Sequence, residues 1–411
     1  MAAESFRFLH ASDFHLERPM GDLDELPPHL LETLANAPWK AAEAVFDAAI
    51  VENVDFLVLA GDLLNPAMAG PRGISLLIDG FERLDAEGIS VFWAAGETDD
   101  PQKWPEAISL PKNVTLFPRG RTESIPVVRG GNTICMVIGR SSEGRSTVHV
   151  PSYRIDPTDY FTVAIGVGGA DAAALAEGRF DYWALGGRHQ RQELEDGATV
   201  GAYYCGSPQG RSLDEPGAHG YSIVDVDSDG NGRVRHVDCD TFRYCHIHGD
   251  ATEISMAGDI RQFLSQRIQR LQHEQGDRNL LIGWDLALAG GDAIQAVGDP
   301  AQLLKWLRQE YGHGKPSAWT VNLKVHPPKT YPKSWQEEDT ILGDFLRVTE
   351  RHRKSSGSEL NLKPATEEHV GLPSTSDTLL AEPTATVRAE LLDQAALLGV
   401  ELLRGGKVNL S

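Results

Sequence analysis

The chain is short of cysteine, of long apolar runs and of basic residues, and each shortage closes off a class of protein. Four cysteines stand in 411 residues (Cys135, Cys205, Cys239 and Cys245), none in C-x-x-C spacing. They are too few to staple a chain of this length, so reduced thiols in a cytoplasm are expected. No apolar run approaches the ~20 residues that a membrane span needs. Glu4 and Arg7 break up the apolar residues near the N-terminus, leaving no continuous segment of the signal-peptide kind. The expectation is a soluble cytoplasmic protein with no membrane partner. Basic residues number 38 against 59 acidic ones, a net charge of −21. Such a field repels polyanions at long range and argues against a general nucleic-acid binder. It leaves room for a nuclease whose cleft is offset by metal or a few arginines, so any DNA contact requires a divalent ion or a partner.

What is present is ample apolar content, 41% of the chain, enough for two or three domains with a sizeable core. Residues 6–9, interrupted only by Arg7, read as a short buried strand that delivers Asp13 and His15 just past its end. In extended chain, residues i and i+2 point the same way, so this carboxylate and imidazole can converge as half a metal site. The plainer reading of such an Asp is a turn or cap. Residues 21–38 read as a polar loop and 39–52 as a helix with Ala42, Val45, Phe46, Ala49 and Ile50 on one face. Residues 55–60 read as a buried strand ending in Gly61-Asp62, and 73–87 as a second helix. The strand at 89–95 then runs into Gly96-Glu97-Thr98-Asp99-Asp100. Three successive strands thus carry polar residues at their carboxyl ends, where open α/β sheets place ligands.

From 114 to 237 the pattern turns to strands with short connections, one of which, Tyr182-Trp183-Ala184-Leu185, ends in Gly186-Gly187-Arg188-His189. A composition shift near 250 opens an α+β region with helices over 254–272, 300–311 and 339–352 and strands over 279–288 and 318–325. Residues 353–383, rich in Ser, Thr, Glu and Pro, read as linker. A final helix over 386–403 stripes Val387, Leu391, Ala395, Leu398 and Leu402 along one face, a docking surface for the chain's own body or for a partner.

Asp13-Phe14-His15, Gly61-Asp62-Leu63, the Gly96 strand end and Ala184-Leu185-Gly186-Gly187-Arg188-His189 resemble the ordered blocks of calcineurin-like metallophosphoesterases. Asp181-Tyr182-Trp183-Ala184-Leu185-Gly186, Gly206-Ser207-Pro208-Gln209-Gly210-Arg211 and Ile341-Leu342-Gly343-Asp344-Phe345-Leu346 are similar to the SbcD/YhaO branch, bacterial relatives of DNA double-strand-break repair exonucleases. Blocks in the right order are specific where any one alone is weak. The resemblance implies a four-layer α/β/β/α sandwich with a smaller α+β capping domain and a C-terminal helix. Its domains would be a metallophosphoesterase domain over 1–245, the cap over 246–352, a flexible linker over 353–383 and a partner-docking C-terminal helix over 384–411.

The resemblance also implies two divalent ions, usually manganese, that clamp a phosphodiester, with Asp62 bridging them. The first ion's ligands, Asp13, His15, Asp62 and His189, are all present in this sequence. The second ion's set departs from the family pattern. Glu97 stands where Asn is expected, Gly187 where His is expected, and Ile165-Gly166-Val167-Gly168 offers no His at the middle strand end. Thr98 takes the place of the catalytic His. One metal site is therefore expected rather than two, with phosphodiester hydrolysis weak, altered or absent. In a working hydrolase, Glu97 would serve as replacement ligand or base, with Arg188 and Arg211 offsetting phosphate charge. The alternative is a non-catalytic scaffold or DNA-end-binding subunit of a coiled-coil, SMC-like ATPase complex, with a homodimer also open. Read singly, Asp99 and Asp100 are turn acids, Gln209 and Arg211 turn residues, and Trp93, Trp183, Tyr203 and Tyr204 core packing. The plainest alternative for the whole chain is an α/β protein whose polar strand ends are only caps and turns.

Overall fold

Alternation along the first strands builds the core. In a computed structural model that describes residues 4–100, 104, 108–144, 147–154, 156–194, 201–250, 260–287, 299–326, 333–354 and 385–403, β1 (Phe6–Ala11), β2 (Phe56–Ala60) and β3 (Ser90–Ala94) run parallel. They are linked by α1 (Pro28–Val51) and α2 (Pro66–Ala86). After β4 (Val114–Leu116) come β5 (Glu123–Arg129), β6 (Asn132–Gly139), β7 (Phe161–Val167), α3 (Ala172–Glu177), β8 (Tyr182–Gly186), β9 (Gln192–Leu194), β10 (Gly201–Tyr204), β11 (Gly220–Val226) and β12 (Gly232–Asp238). Two six-stranded sheets result, ordered β12-β11-β1-β2-β3-β4 and β5-β6-β7-β8-β10-β9.

Phe6, Phe8, Phe56, Val58, Phe92 and Ala94 face the second sheet, where they meet Val163, Ile165, Tyr182 and Ala184. The alternate residues Leu9, Leu57, Leu59, Val91 and Trp93 face the helices, against Val45, Phe46, Leu77 and Phe81. On the far side of the second sheet, Ala164, Trp183 and Leu185 pack on Leu175, Phe180 and Tyr153. A period of two on every central strand therefore yields four layers, helix, sheet, sheet, helix, as expected from the sequence. Between the sheets the Phe8 and Phe56 rings stack at 4.9 Å and Tyr182 meets Phe8 edge-on at 5.2 Å.

Helix α1 corrects the reading of 21–38 as a loop, because it begins at Pro28 and carries Pro38 inside it. Pro28 suits a first helical turn, where its missing N–H has no partner to lose. Leu30, Leu34 and Ala37 anchor the added turns by burial against Leu213, Phe242, Tyr244, Leu281, Trp319 and Val321. Burial here outweighs the helix-breaking tendency of an interior proline.

The chain divides into two compact units, residues 1–246, 272–283 and 308–321 in one, and 247–271, 284–307 and 322–411 in the other. The later elements are β13 (Phe242–Gly249), α4 (Ile260–Gln275), β14 (Asn279–Ala287), α5 (Pro300–Tyr311), β15 (Ala318–His326), α6 (Ile341–Lys354) and α7 (Ala385–Leu403). Strand β13 was not foreseen from the sequence. Within the second unit, α7 packs on α6 through Ala396 and Val400 against Leu342, Leu346 and Trp335. Ala395, Leu398 and Leu402, which the sequence placed on one stripe for docking on the chain's own body or on a partner, are exposed. Small residues decide the contact, since Gly399 leaves room for the Phe345 ring. The side chains of Val387 and Leu391 and the linker residues 355–383 lie outside the described residues.

Candidate metal centre

The loops that follow β1 and β2 are zipped together by main-chain bonds. Asp13 N donates to Gly61 O (3.0 Å), His15 N to Asp62 O (2.9 Å) and Leu16 N to Leu63 O (3.0 Å). Asp13, His15 and Asp62 adopt positive φ angles of 57°, 41° and 57°. Such non-glycine conformations cost roughly 1–3 kcal/mol each and persist only where the surroundings hold them. From the second sheet, β8 approaches so closely that any side chain at Gly186 would drive into the Ala60 carbonyl. Glycine there lets the two strand ends touch, and the turn after β8 then carries His189 to the β1 loop.

Three donors meet at that junction. Atoms of Asp13, His15 and His189 lie within 4.8 Å of one another. His15 Nε2 and His189 Nε2 are 3.2 Å apart, and His15 Nε2 is 4.0 Å from Asp13 Oδ1. Each imidazole is held from behind by a carboxylate: Glu17 Oε1 is 3.1 Å from His15 Nδ1, and Glu215 Oε1 is 2.6 Å from His189 Nδ1. With both Nδ1–H groups directed at carboxylates, the two Nε2 lone pairs face each other beside a buried Asp. Only a proton or a cation between them makes that arrangement favourable, so the donor set fits a divalent ion.

Asp13 is fully buried; Ser12 Oγ (2.5 Å) donates to its carboxylate, and Gly187 N lies at 3.0 and 3.1 Å from the two oxygens. Burial pushes its pKa up to about 6 despite those donors. The hydrogen bond that His189 donates to Glu215 raises the imidazole above the ordinary histidine value. Burial works against ionisation of Glu17 and Glu215, but their histidine partners together with main-chain N–H donors outweigh it and hold both below the usual carboxylate range.

The remaining sequence-chosen residues stand outside that group of three. Asp62 is turned toward Thr98, whose N and Oγ1 both donate to its Oδ1 at 3.1 and 2.9 Å, and it stands outside the group of three. Glu97 is exposed and also outside that group. Gly187, at the position of an expected histidine, has φ +91° and gives its N–H to Asp13; a Cβ there would sit 3.0 Å from Gly168 N. Arg188 is exposed, with its guanidinium 4.8 Å from the Tyr204 ring. Arg211 is 7% exposed and its guanidinium donates to the carbonyls of Phe14, His15 and Arg18, which leaves it fixing the metal loop from inside. Gln209 is likewise buried, accepting from Thr241 N (2.9 Å) and donating to Phe242 O (2.6 Å). Asp99 lies in the turn after β3, as read from the sequence, and is far from a solvated acid. It is fully buried and accepts from Leu63 N (3.1 Å), Trp93 Nε1 (3.0 Å) and Gly96 N (2.6 Å). Burial, with Asp62 nearby, raises its pKa.

Sequence reading passed over Glu17 and Glu215. Glu17 lies two residues past His15, a spacing that carried a signal; Glu215 sits in an irregular loop where no periodicity could have marked it.

With this geometry in view, comparisons with known proteins show what the region is similar to. Residues 6–189 match the family model of the calcineurin-like phosphoesterases. Over those residues, less than half of the chain, the sequence is similar to the calcineurin-like metallophosphoesterases, a family that depends on divalent metal. An uncharacterized metallophosphoesterase of Bacillus subtilis (strain 168), YhaO, is 31% identical over 241 residues, 53% of this chain and 57% of that protein. The match thus takes in little more than half of the curated relative's length. Among solved structures, TT1561 of Thermus thermophilus aligns at 14% identity with a TM-score of 0.32, over 56% of this chain and 99% of its own. Yfce, a phosphoesterase from E. coli, aligns at 13% identity with a TM-score of 0.28, over 56% of this chain and all of its own, 100%.

Proposed function

We propose that this metallophosphoesterase-region protein holds one divalent ion at Asp13, His15 and His189, and that it engages DNA ends with phosphodiester hydrolysis far below that of a two-metal enzyme. The observation that carries the reading is the asymmetry of the site. One donor set is assembled, with both imidazoles aimed at one point. At the other ion's positions stand a glycine whose N–H serves Asp13, an exposed Glu97 and Thr98.

A bound ion would polarise a phosphoryl oxygen and lower the pKa of a water. The chain's own part is to hold the donors and exclude alternatives. Ser12 and Gly187 fix the Asp13 carboxylate, and Thr98 keeps Asp62 turned aside. No imidazole stands at Thr98 to give a proton to a leaving oxygen, and an alcohol of ordinary pKa is a poor substitute for that role. Slow turnover follows from that loss together with the missing second ion. Manganese is the ion that the family resemblance favours.

The test is elemental analysis after manganese loading, with a linear-duplex nuclease assay on the same sample. One ion per chain, lost in Asp13→Ala, with cleavage slow or undetectable, is the expected outcome. Two ions with brisk cleavage would overturn the single-ion reading.

A further inference from the structure

We infer that Glu17 and Glu215 are positioning residues that preset His15 and His189 to receive one cation. The inference rests on the single-ion reading and adds to it the groups that make the donor set rigid. Each carboxylate divides its two oxygens between a histidine and the main chain. Glu17 Oε1 takes His15 Nδ1 at 3.1 Å while Oε2 accepts from Asn65 N at 2.8 Å. Glu215 Oε1 takes His189 Nδ1 at 2.6 Å while Oε2 accepts from Arg211 N at 2.8 Å. The carboxylates are thereby fixed by backbone, and the rings by the carboxylates.

An ion pair that served stability alone would need only the Nδ1 contact. Here the opposite nitrogens also converge to 3.2 Å beside Asp13, which places both Nε2 lone pairs at one point. The 211–215 segment does this twice, because the Arg211 guanidinium also ties down the carbonyls of Phe14, His15 and Arg18 while Glu215 orients the other ring. A carboxylate on Nδ1 fixes the tautomer and raises the basicity of Nε2, and loss of such a group costs about 10- to 100-fold in metal affinity.

The test uses the full-length chain stripped with EDTA and titrated with Mn2+ by calorimetry, beside 15N chemical shifts of the imidazole nitrogens in the metal-free state. Glu17→Ala and Glu215→Ala should each weaken Mn2+ binding by about 10- to 100-fold, and the affected ring should lose its Nδ1–H tautomer preference. Glu→Gln variants, whose amide oxygen still accepts from Nδ1–H, should recover part of the affinity. If an alanine variant fails to fold, the glutamine variants carry the test, with several-fold weakening expected. Parent-like affinity in the folded variants would overturn the positioning role and leave the single-ion reading intact. A parent chain that binds no Mn2+ would overturn both.

Discussion

Asp13 carries the largest electrostatic cost at the centre when no cation is present. Its folded pKa, raised to about 6 by burial, lies above that of an unfolded carboxyl group near 4. The folded chain therefore binds a proton that the unfolded chain has released, so stability from this group is present at low pH and is lost as pH rises from about 4 through 6. Asp13→Asn should remove that loss. In metal-free protein the variant's stability relative to the parent should climb by about 2–3 kcal/mol between pH 4 and 7 and then level off, as read by denaturant unfolding at each pH. A flat difference would refute the assignment. Asp99 makes the opposite case, a buried acid whose contacts are structural. Asp99→Ala would strand Leu63 N, Trp93 Nε1 and Gly96 N, and should cost about 3 kcal/mol or more in unfolding free energy. Because it braces the Gly96 loop rather than a donor, it should leave manganese stoichiometry unchanged in whatever fraction remains folded.

At the scale of elements, the turn after β8 explains why reversing one residue will not restore a second site. Gly187 sits at φ +91° and a Cβ there would lie 3.0 Å from Gly168 N, so Gly187→His meets both backbone strain and a tight contact. We expect that variant to lose stability by about 1–3 kcal/mol and to bind no second manganese. Recovery of a two-ion stoichiometry would show that the loop has another conformation open to it. The same elements show what could be read from the chain. Strands β1, β2, β3 and β8 were legible because burial on both faces leaves nearly unbroken apolar runs, and their polar ends announced the site. Helix α1 was misread because Pro38 marks a break only when nothing buries the turns before it. The face of α7 that packs on α6 was not foreseen, because close approach to Phe345 selected Ala396 and Gly399 rather than large apolar residues. Glu215 and the donors to Asp99 were illegible because irregular loops specify their contacts by tertiary closure, not by spacing.

Across the whole molecule, charge and pH set the conditions for any cation. A net charge of −21 attracts divalent ions and repels DNA, so manganese should strengthen duplex binding, and the effect should fall as salt rises. Protons compete for the same donors. Mn2+ affinity should therefore drop as pH falls through the raised value of His189 and on through about 6, where Asp13 takes up its proton, a profile that calorimetry from pH 8 to 5 would trace. No described helix is long and apolar enough to cross a membrane. The outward face of α7, with Leu398 36% and Leu402 59% exposed, is the one on which the sequence reading set a partner such as a coiled-coil ATPase. Truncation after Pro383 should abolish co-purification with such an ATPase, and unchanged co-purification would dismiss it.

The two histidines at the centre stand 174 residues apart in sequence, on loops brought together only where the sheets touch at Gly186 and Ala60. Closing so long a span is among the slower steps available to a chain of this topology. A ribosome-bound chain cannot present the complete donor set until His189 and Glu215 have both emerged and the second sheet has docked. Cation capture would then mark the end of folding rather than its beginning, and ion uptake followed in time during refolding would lag behind the formation of the strands that carry the ligands.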